Sequence, residues 1–218
     1  MKGKNIKIEN IRRLIKDLPY FTVINLSVIE KNRGYLKVSL SRMSKSGEII
    51  RLKKGMYVSK NYLDSIRMAG KYNDYCEFIS SAMYEPAYLS AEYVLAEHNL
   101  LTESVFNFTL ISTNKTNSIT NELGSFSYYT VKKDLFFGFK LKPSDNYLIY
   151  KASLAKALFD FLYIRKDLLI NSETADELRL NLKNLKNKDI AELKKYIKKE
   201  GSKKMKNIFN WLELSLKL

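Results

Sequence analysis

The chain has 218 residues, 45% of them apolar, enough for one large domain or two small ones with their own cores. No apolar run is long enough to span a bilayer, and the basic start "MKGKNIKIENIRRLIKDL" lacks the apolar stretch and small-residue site of a signal peptide. A single cysteine, Cys76, excludes an internal disulfide, so a cytoplasmic location is expected.

The net charge of +15 is unevenly placed. Residues 1–65 hold 15 Lys/Arg against 5 Asp/Glu, residues 66–182 hold 12 against 14, and residues 183–218 hold 11 against 4. Solubility alone would spread the surplus. A basic N-terminal block is what attraction to a phosphate backbone requires.

In chain order, Ile11, Leu14 and Ile15 share one face of a short amphipathic helix over residues 9–17, closed by Leu18-Pro19. Thr22 is the expected N-cap of a second helix carrying Ile24, Leu26, Val28 and Ile29, and Asn32-Arg33-Gly34 breaks it. A third helix is predicted from Tyr35 to Lys45, with Leu36, Leu40 and Met43 inward and Lys37, Ser39, Ser41, Arg42 and Lys45 outward. "GEIIRLKKGMYV" then reads as a hairpin whose tip presents Lys53 and Lys54, with Gly55 permitting the tight turn.

Helix, helix, glycine-containing turn, polar-faced helix and basic hairpin is the order of a winged helix-turn-helix. The third helix would read the major groove, and the hairpin would be the wing against the backbone. The residues expected to touch DNA are Arg33, Tyr35, Lys37, Ser39, Arg42 and Lys45, with Lys53 and Lys54 from the wing.

Past a boundary expected in "SKNYLDSIRMAGKYND", around residues 60–74, the pattern changes. "CEFISSAMY" and "AYLSAEYVLAEHNLL" read as helices, the second capped by Ser90. "SVFNFTLIS", "SFSYYTVKK", "LFFGFKL" and "NYLIYK" read as strands. "SLAKALFDFLYIRKD" reads as a helix with Leu154, Leu158, Phe161 and Leu162 inward, followed by helices starting near Ser172, Asn187 and Ser202. The expectation is an α+β chain: a DNA-binding unit over 1–65, then a larger α+β unit over 66–218 with a small sheet and a helical tail.

"EPAYLSAEYVLAEHNLL", "GSFSYYTVKKDLFFGF" and "NYLIYKASLAKALFDFLY" resemble the AbiEi family, antitoxins and transcriptional regulators of type IV toxin–antitoxin (abortive infection) systems. The matching positions include Pro86, Tyr88, Leu89, Ser90, Gly124, Phe126, Ser127, Tyr128, Lys132, Leu135, Phe136, Phe137, Gly138, Lys156, Ala157, Leu158, Asp160 and Tyr163. In the hairpin, Ile49, Arg51, Leu52, Lys54, Gly55 and Tyr57 match. The likeness extends to about residue 165. Asn99 stands where a glycine is usual, Thr102 where a proline is usual, and Ser153 in place of a proline-like helix start. The resemblance implies a winged helix that represses its own promoter; because one winged helix of this size reads only a few base pairs, its duplex DNA sites are expected to be inverted repeats. It also implies a C-terminal domain that antagonises a nucleotidyltransferase-like toxin, with no stable complex required.

His98 and Cys76 lack partners at metal or nucleophile spacing, no phosphate loop or hydrolase motif is present, and neither cofactor nor catalytic residue is read. Alternating aromatics in "SFSYYTVKKDLFFGFKL" are read as core rather than as RNA-stacking surface. Three other readings stay open. They are a regulator without an antitoxin role, a basic protein-interaction module, and a nucleic-acid-processing enzyme using Glu77, Glu92 or Asp160.

Overall fold

The computed structural model describes residues 2–101, 107–144 and 147–215; Thr102 and the start of the strand expected from residue 104 lie outside them. The fold is α+β, about half helical, with two sheets. Two compact units form, one of residues up to Ile79 with Ile119–Leu123, the other of Ser80–Ser118 and Gly124–Leu218.

In the first unit, α1 (Lys2–Ile15) starts earlier than its amphipathic pattern predicts, and buries Ile11 and Ile15 while Leu14 stays 39% exposed. β1 (Phe21–Thr22) has no sequence signal of its own and exists through pairing. Thr22 is the predicted N-cap: its hydroxyl accepts from Asn25 N, and the Asn25 side chain accepts from Thr22 N at 2.8 Å. The helix it starts, α2 (Val23–Leu26), is a single turn, shorter than expected. Only Leu26 is buried; Ile24 and Val28 are 76% and 86% exposed. β-branched residues on both sides of that turn are poor helix formers, and the Ser27 hydroxyl bonds back to Ile24 O at 2.6 Å.

Asn32, expected as part of a breaker, is the N-cap of α3 (Arg33–Lys45), accepting from Tyr35 N at 3.0 Å. Leu36, Leu40 and Met43 are buried as predicted. The predicted hairpin is present as β2 (Ile49–Lys53) and β3 (Met56–Ser59), turning at Gly55 with φ 79°. β1 joins the far side of β3, with Phe21 opposite Tyr57, so the sheet order is β1-β3-β2. A bidentate bond from Arg12 to Glu48 (2.8 and 3.0 Å) ties α1 to the hairpin's entry. The core is Ile11, Ile15, Phe21, Leu26, Leu36, Leu40, Met43 and Ile49. The segment expected to hold the boundary is helical: α4 (Lys60–Met68) is capped by Ser59, and α5 (Tyr72–Ala82) follows. The Tyr75 hydroxyl donates to Pro19 O at 2.8 Å, and Cys76 is buried.

The second unit has β4 (Ala87–Leu89), a strand not expected from the sequence, and then α6 (Ala91–Glu97), which starts after its expected Ser90. Then come β5 (Phe108–Ser112), β6 (Asn117–Asn121, of which residues from Ile119 on are counted with the first unit), β7 (Gly124–Thr130), β8 (Phe139–Pro143) and β9 (Leu148–Ala152). β4 runs parallel to β9 and antiparallel to β5, and β5 runs parallel to β7. The sheet order is β6-β7-β5-β4-β9-β8. α7 (Leu154–Arg165) starts where the sequence predicts, with Ser153 as its N-cap, and packs on α6. α8 (Ser172–Asp176), α9 (Asn187–Glu200) and α10 (Lys203–Ser215) begin where the sequence predicts; α9 covers α7, and α10 covers α8. Asn99, in place of the usual glycine, has φ 54°, a left-handed conformation that Asn reaches more readily than most side chains.

Candidate functional site

α3 divides into two faces. Leu36, Ser39, Leu40 and Met43 recur at i, i+3, i+4 and i+7 and are buried. Arg33, Lys37, Ser41, Arg42 and Lys45 occupy the opposite face, exposed to solvent. Tyr35 is half-buried at the helix start. Ser39 corrects the sequence reading: it is 4% exposed because it falls three residues after Leu36, within the apolar stripe, and its hydroxyl cannot reach a ligand from there.

On the hairpin, Lys54 is exposed and Lys53 half-buried. Two further residues, not named among the expected contacts, are exposed on these same elements. Arg51 projects outward between buried Ile50 and Leu52, a strand alternation readable in "IIRLK". Val38 is 51% exposed among the cations of α3, and its place off the apolar stripe was the available signal.

The second unit contains a buried polar cluster. Lys156 and Asp160, one turn apart on α7, are fully buried, with Lys156 Nζ 2.7 Å from Asp160 Oδ1. Nζ also donates to Leu135 O at 2.9 Å and sits over the rings of Phe159 (4.6 Å) and Phe137 (4.8 Å). Asp160 Oδ2 accepts from the Tyr88 hydroxyl at 2.9 Å and from the Ser90 hydroxyl at 2.7 Å. Ser90 therefore holds the N-cap position of α6 but bonds Asp160 instead of capping. Burial pushes the Asp160 carboxyl up and the Lys156 ammonium down, each opposed by the partner's charge. Burial next to Asp160 also raises the Tyr88 phenol strongly.

The three carboxylates considered for catalysis have separate surroundings. Asp160 is occupied by Lys156, Tyr88 and Ser90; Glu92 bonds Arg165 of α7; Glu77 is fully buried in α5 of the first unit. Among the described residues, no group of three or more His, Cys, Asp or Glu is placed to hold a metal ion. No described helix is long and apolar enough to cross a membrane. The chain matches no protein-family model and no curated protein.

Proposed function

We propose that this protein is a cytoplasmic DNA-binding antitoxin of the type IV kind, with a winged helix-turn-helix in its N-terminal part that represses its own promoter. The observation that carries the DNA-binding half is the basic exposed face of α3. It presents Arg33, Lys37, Arg42 and Lys45, and the unit that holds it also has a lysine-tipped hairpin in a β1-β3-β2 sheet. A helix with one apolar and one cationic face, beside a two-stranded ribbon, suits a major groove and its flanking phosphates. Arg33, Tyr35, Lys37, Arg42 and Lys45 make the helix contacts, and Lys53 and Lys54 the wing contacts. One such helix reads few base pairs, so two copies bind an inverted repeat.

The antitoxin half rests on the resemblance to the AbiEi family, whose matched residues Tyr88, Ser90, Lys156 and Asp160 meet in the buried cluster. That cluster supports the second unit as the part that opposes a nucleotidyltransferase-like toxin, by giving it a core arrangement of its own.

The test is fluorescence anisotropy of the full chain on duplex DNA from upstream of its gene, against random duplex, between 50 and 200 mM salt, ranges in which backbone contacts are sensitive. Tighter binding to the upstream duplex is expected, with log affinity falling by about 0.9 per phosphate contacted as log salt rises. Equal, salt-insensitive affinities would sink the DNA-binding reading. Co-expression with the neighbouring toxin tests the other half: growth is restored by the full chain, and failure to restore it refutes the antitoxin role.

A further inference from the structure

In the second unit, a cleft of about 410 Å³ opens where β8, the end of α6 and the starts of α7 and α9 meet. That volume lies within the range of small-ligand sites, about 300–1,000 Å³, and exceeds what a lone inorganic ion fills. Lys140, Lys186, Lys188 and His98 line it, each exposed at the cleft. They come from β8, the residue before α9, the first turn of α9 and the end of α6, so their convergence is not the periodicity of one lysine-rich helix. Among the described residues, no hydrogen bond or ion pair engages these three ammonium groups or the His98 ring.

Two acidic residues also line the cleft, fewer than its three lysines, and their carboxylates accept bonds within the protein. Asp189 Oδ2 accepts from Lys186 N at 3.1 Å. Glu192 Oε1 accepts from the Ser153 hydroxyl at 2.9 Å and from the Tyr196 hydroxyl. Lys151, which faces Lys140 across the β8–β9 ladder, is neutralised elsewhere by Glu97 at 2.8 Å. α7 has no acidic residue in its first turn, but the Ser153 hydroxyl that accepts from the Lys156 amide at 3.2 Å also donates to Glu192, so a carboxylate already lies at the start of this helix.

Cations brought together from separate elements repel one another, and with three lysines facing two carboxylates an anion in the recess relieves the repulsion that remains. We infer that this cleft binds the terminal phosphate of a nucleotide, either free or at the 5′ end of an RNA. A recess of this size admits a phosphate with its sugar and base. A duplex backbone, lying on a convex surface, would not enter it. The inference is independent of duplex binding by α3.

Isothermal titration of the full chain with ATP, AMP, inorganic phosphate and adenosine tests it. ATP should bind more tightly than AMP, and adenosine should not bind. The triple variant Lys140→Ala, Lys186→Ala, Lys188→Ala should lose about tenfold or more in ATP affinity, the scale of losing several charge-assisted bonds. Lys195→Ala with Lys198→Ala, two exposed lysines of α9 outside the cleft, should leave affinity within about twofold, as expected for screened surface charges. All substituted side chains are exposed, so folding is retained and is verified by circular dichroism. Oligoribonucleotides with a 5′-phosphate or a 5′-hydroxyl identify the source: preference for the phosphorylated end assigns RNA, and competition by ATP alone assigns the free nucleotide. Three results overturn the inference: adenosine binding as well as ATP, equal losses in the two lysine variants, or no binding of any phosphorylated probe at millimolar concentration.

Discussion

Lys156 Nζ lies 2.7 Å from Asp160 Oδ1 with both side chains fully buried, so neither charge can be released to water if its partner is removed. Lys156→Met or Asp160→Leu alone should therefore destabilise the second unit by about 3–5 kcal/mol, the usual cost of orphaning a buried charge. The double variant should cost less than the sum, because it leaves no charge unpaired. Trp211, the sole tryptophan, lies in α10 of that unit and reports the urea midpoint by fluorescence. Additive losses would mean that the two residues are not coupled.

Gly138 supplies a second test of the same cluster. Its φ is 77°, and a Cβ there would lie 2.9 Å from Lys156 Cγ and 3.0 Å from Tyr196 Oη. Gly201 has a similar φ of 82°, but its nearest such contact is 3.8 Å. Gly201→Ala should thus cost only the backbone strain, about 1–2 kcal/mol. Gly138→Ala should cost more, since the Lys156 stem must also move. Thermal melts of the two variants give the order directly; a smaller shift for Gly138→Ala contradicts the packing argument.

Helix and hairpin should fail differently on DNA. Arg42→Ala should lower discrimination between upstream and random duplex by about 1–3 kcal/mol if its guanidinium reads a base edge. Lys54→Ala should weaken both duplexes alike, as loss of a phosphate contact does. Ser39→Ala, at a buried position, should leave both affinities unchanged. Anisotropy titrations at one fixed salt concentration separate the three patterns, and a Ser39→Ala variant with impaired binding would reverse its assignment to the core.

Burial pushes the Cys76 thiol up to about 11. At pH 8 its thiolate fraction is then about a hundredfold below that of an exposed cysteine, which slows alkylation accordingly. Iodoacetamide labelling followed by mass should be slow in the native protein and fast in urea. Raising the pH from 8 to 9 should speed the native reaction about tenfold, since the group stays far below its midpoint. Rapid native labelling at pH 8 would show that the thiol is not buried.

What the sequence determined by itself is local. The Leu36, Leu40 and Met43 stripe, the Lys-Gly hairpin turn and the starts of α7, α8, α9 and α10 each depend on residues within a few positions of one another. The same periodicity also held the true place of Ser39, three residues after Leu36, had the stripe been followed in full.

Only the tertiary structure decided the rest. β1 is two residues long and exists because Phe21 meets Tyr57 across β3; α2 stops after one turn although apolar residues continue. The parallel pairings of β4 with β9 and β5 with β7 leave no turn signal in the chain. Tyr88 and Ser90 reach Asp160 from 72 and 70 residues away. Local pattern encodes which side of an element avoids water, because that follows from a fixed helical or strand period. Which buried polar groups meet depends on how separate elements stack, and a low-dielectric interior then enforces those partnerships by making every unpaired group costly.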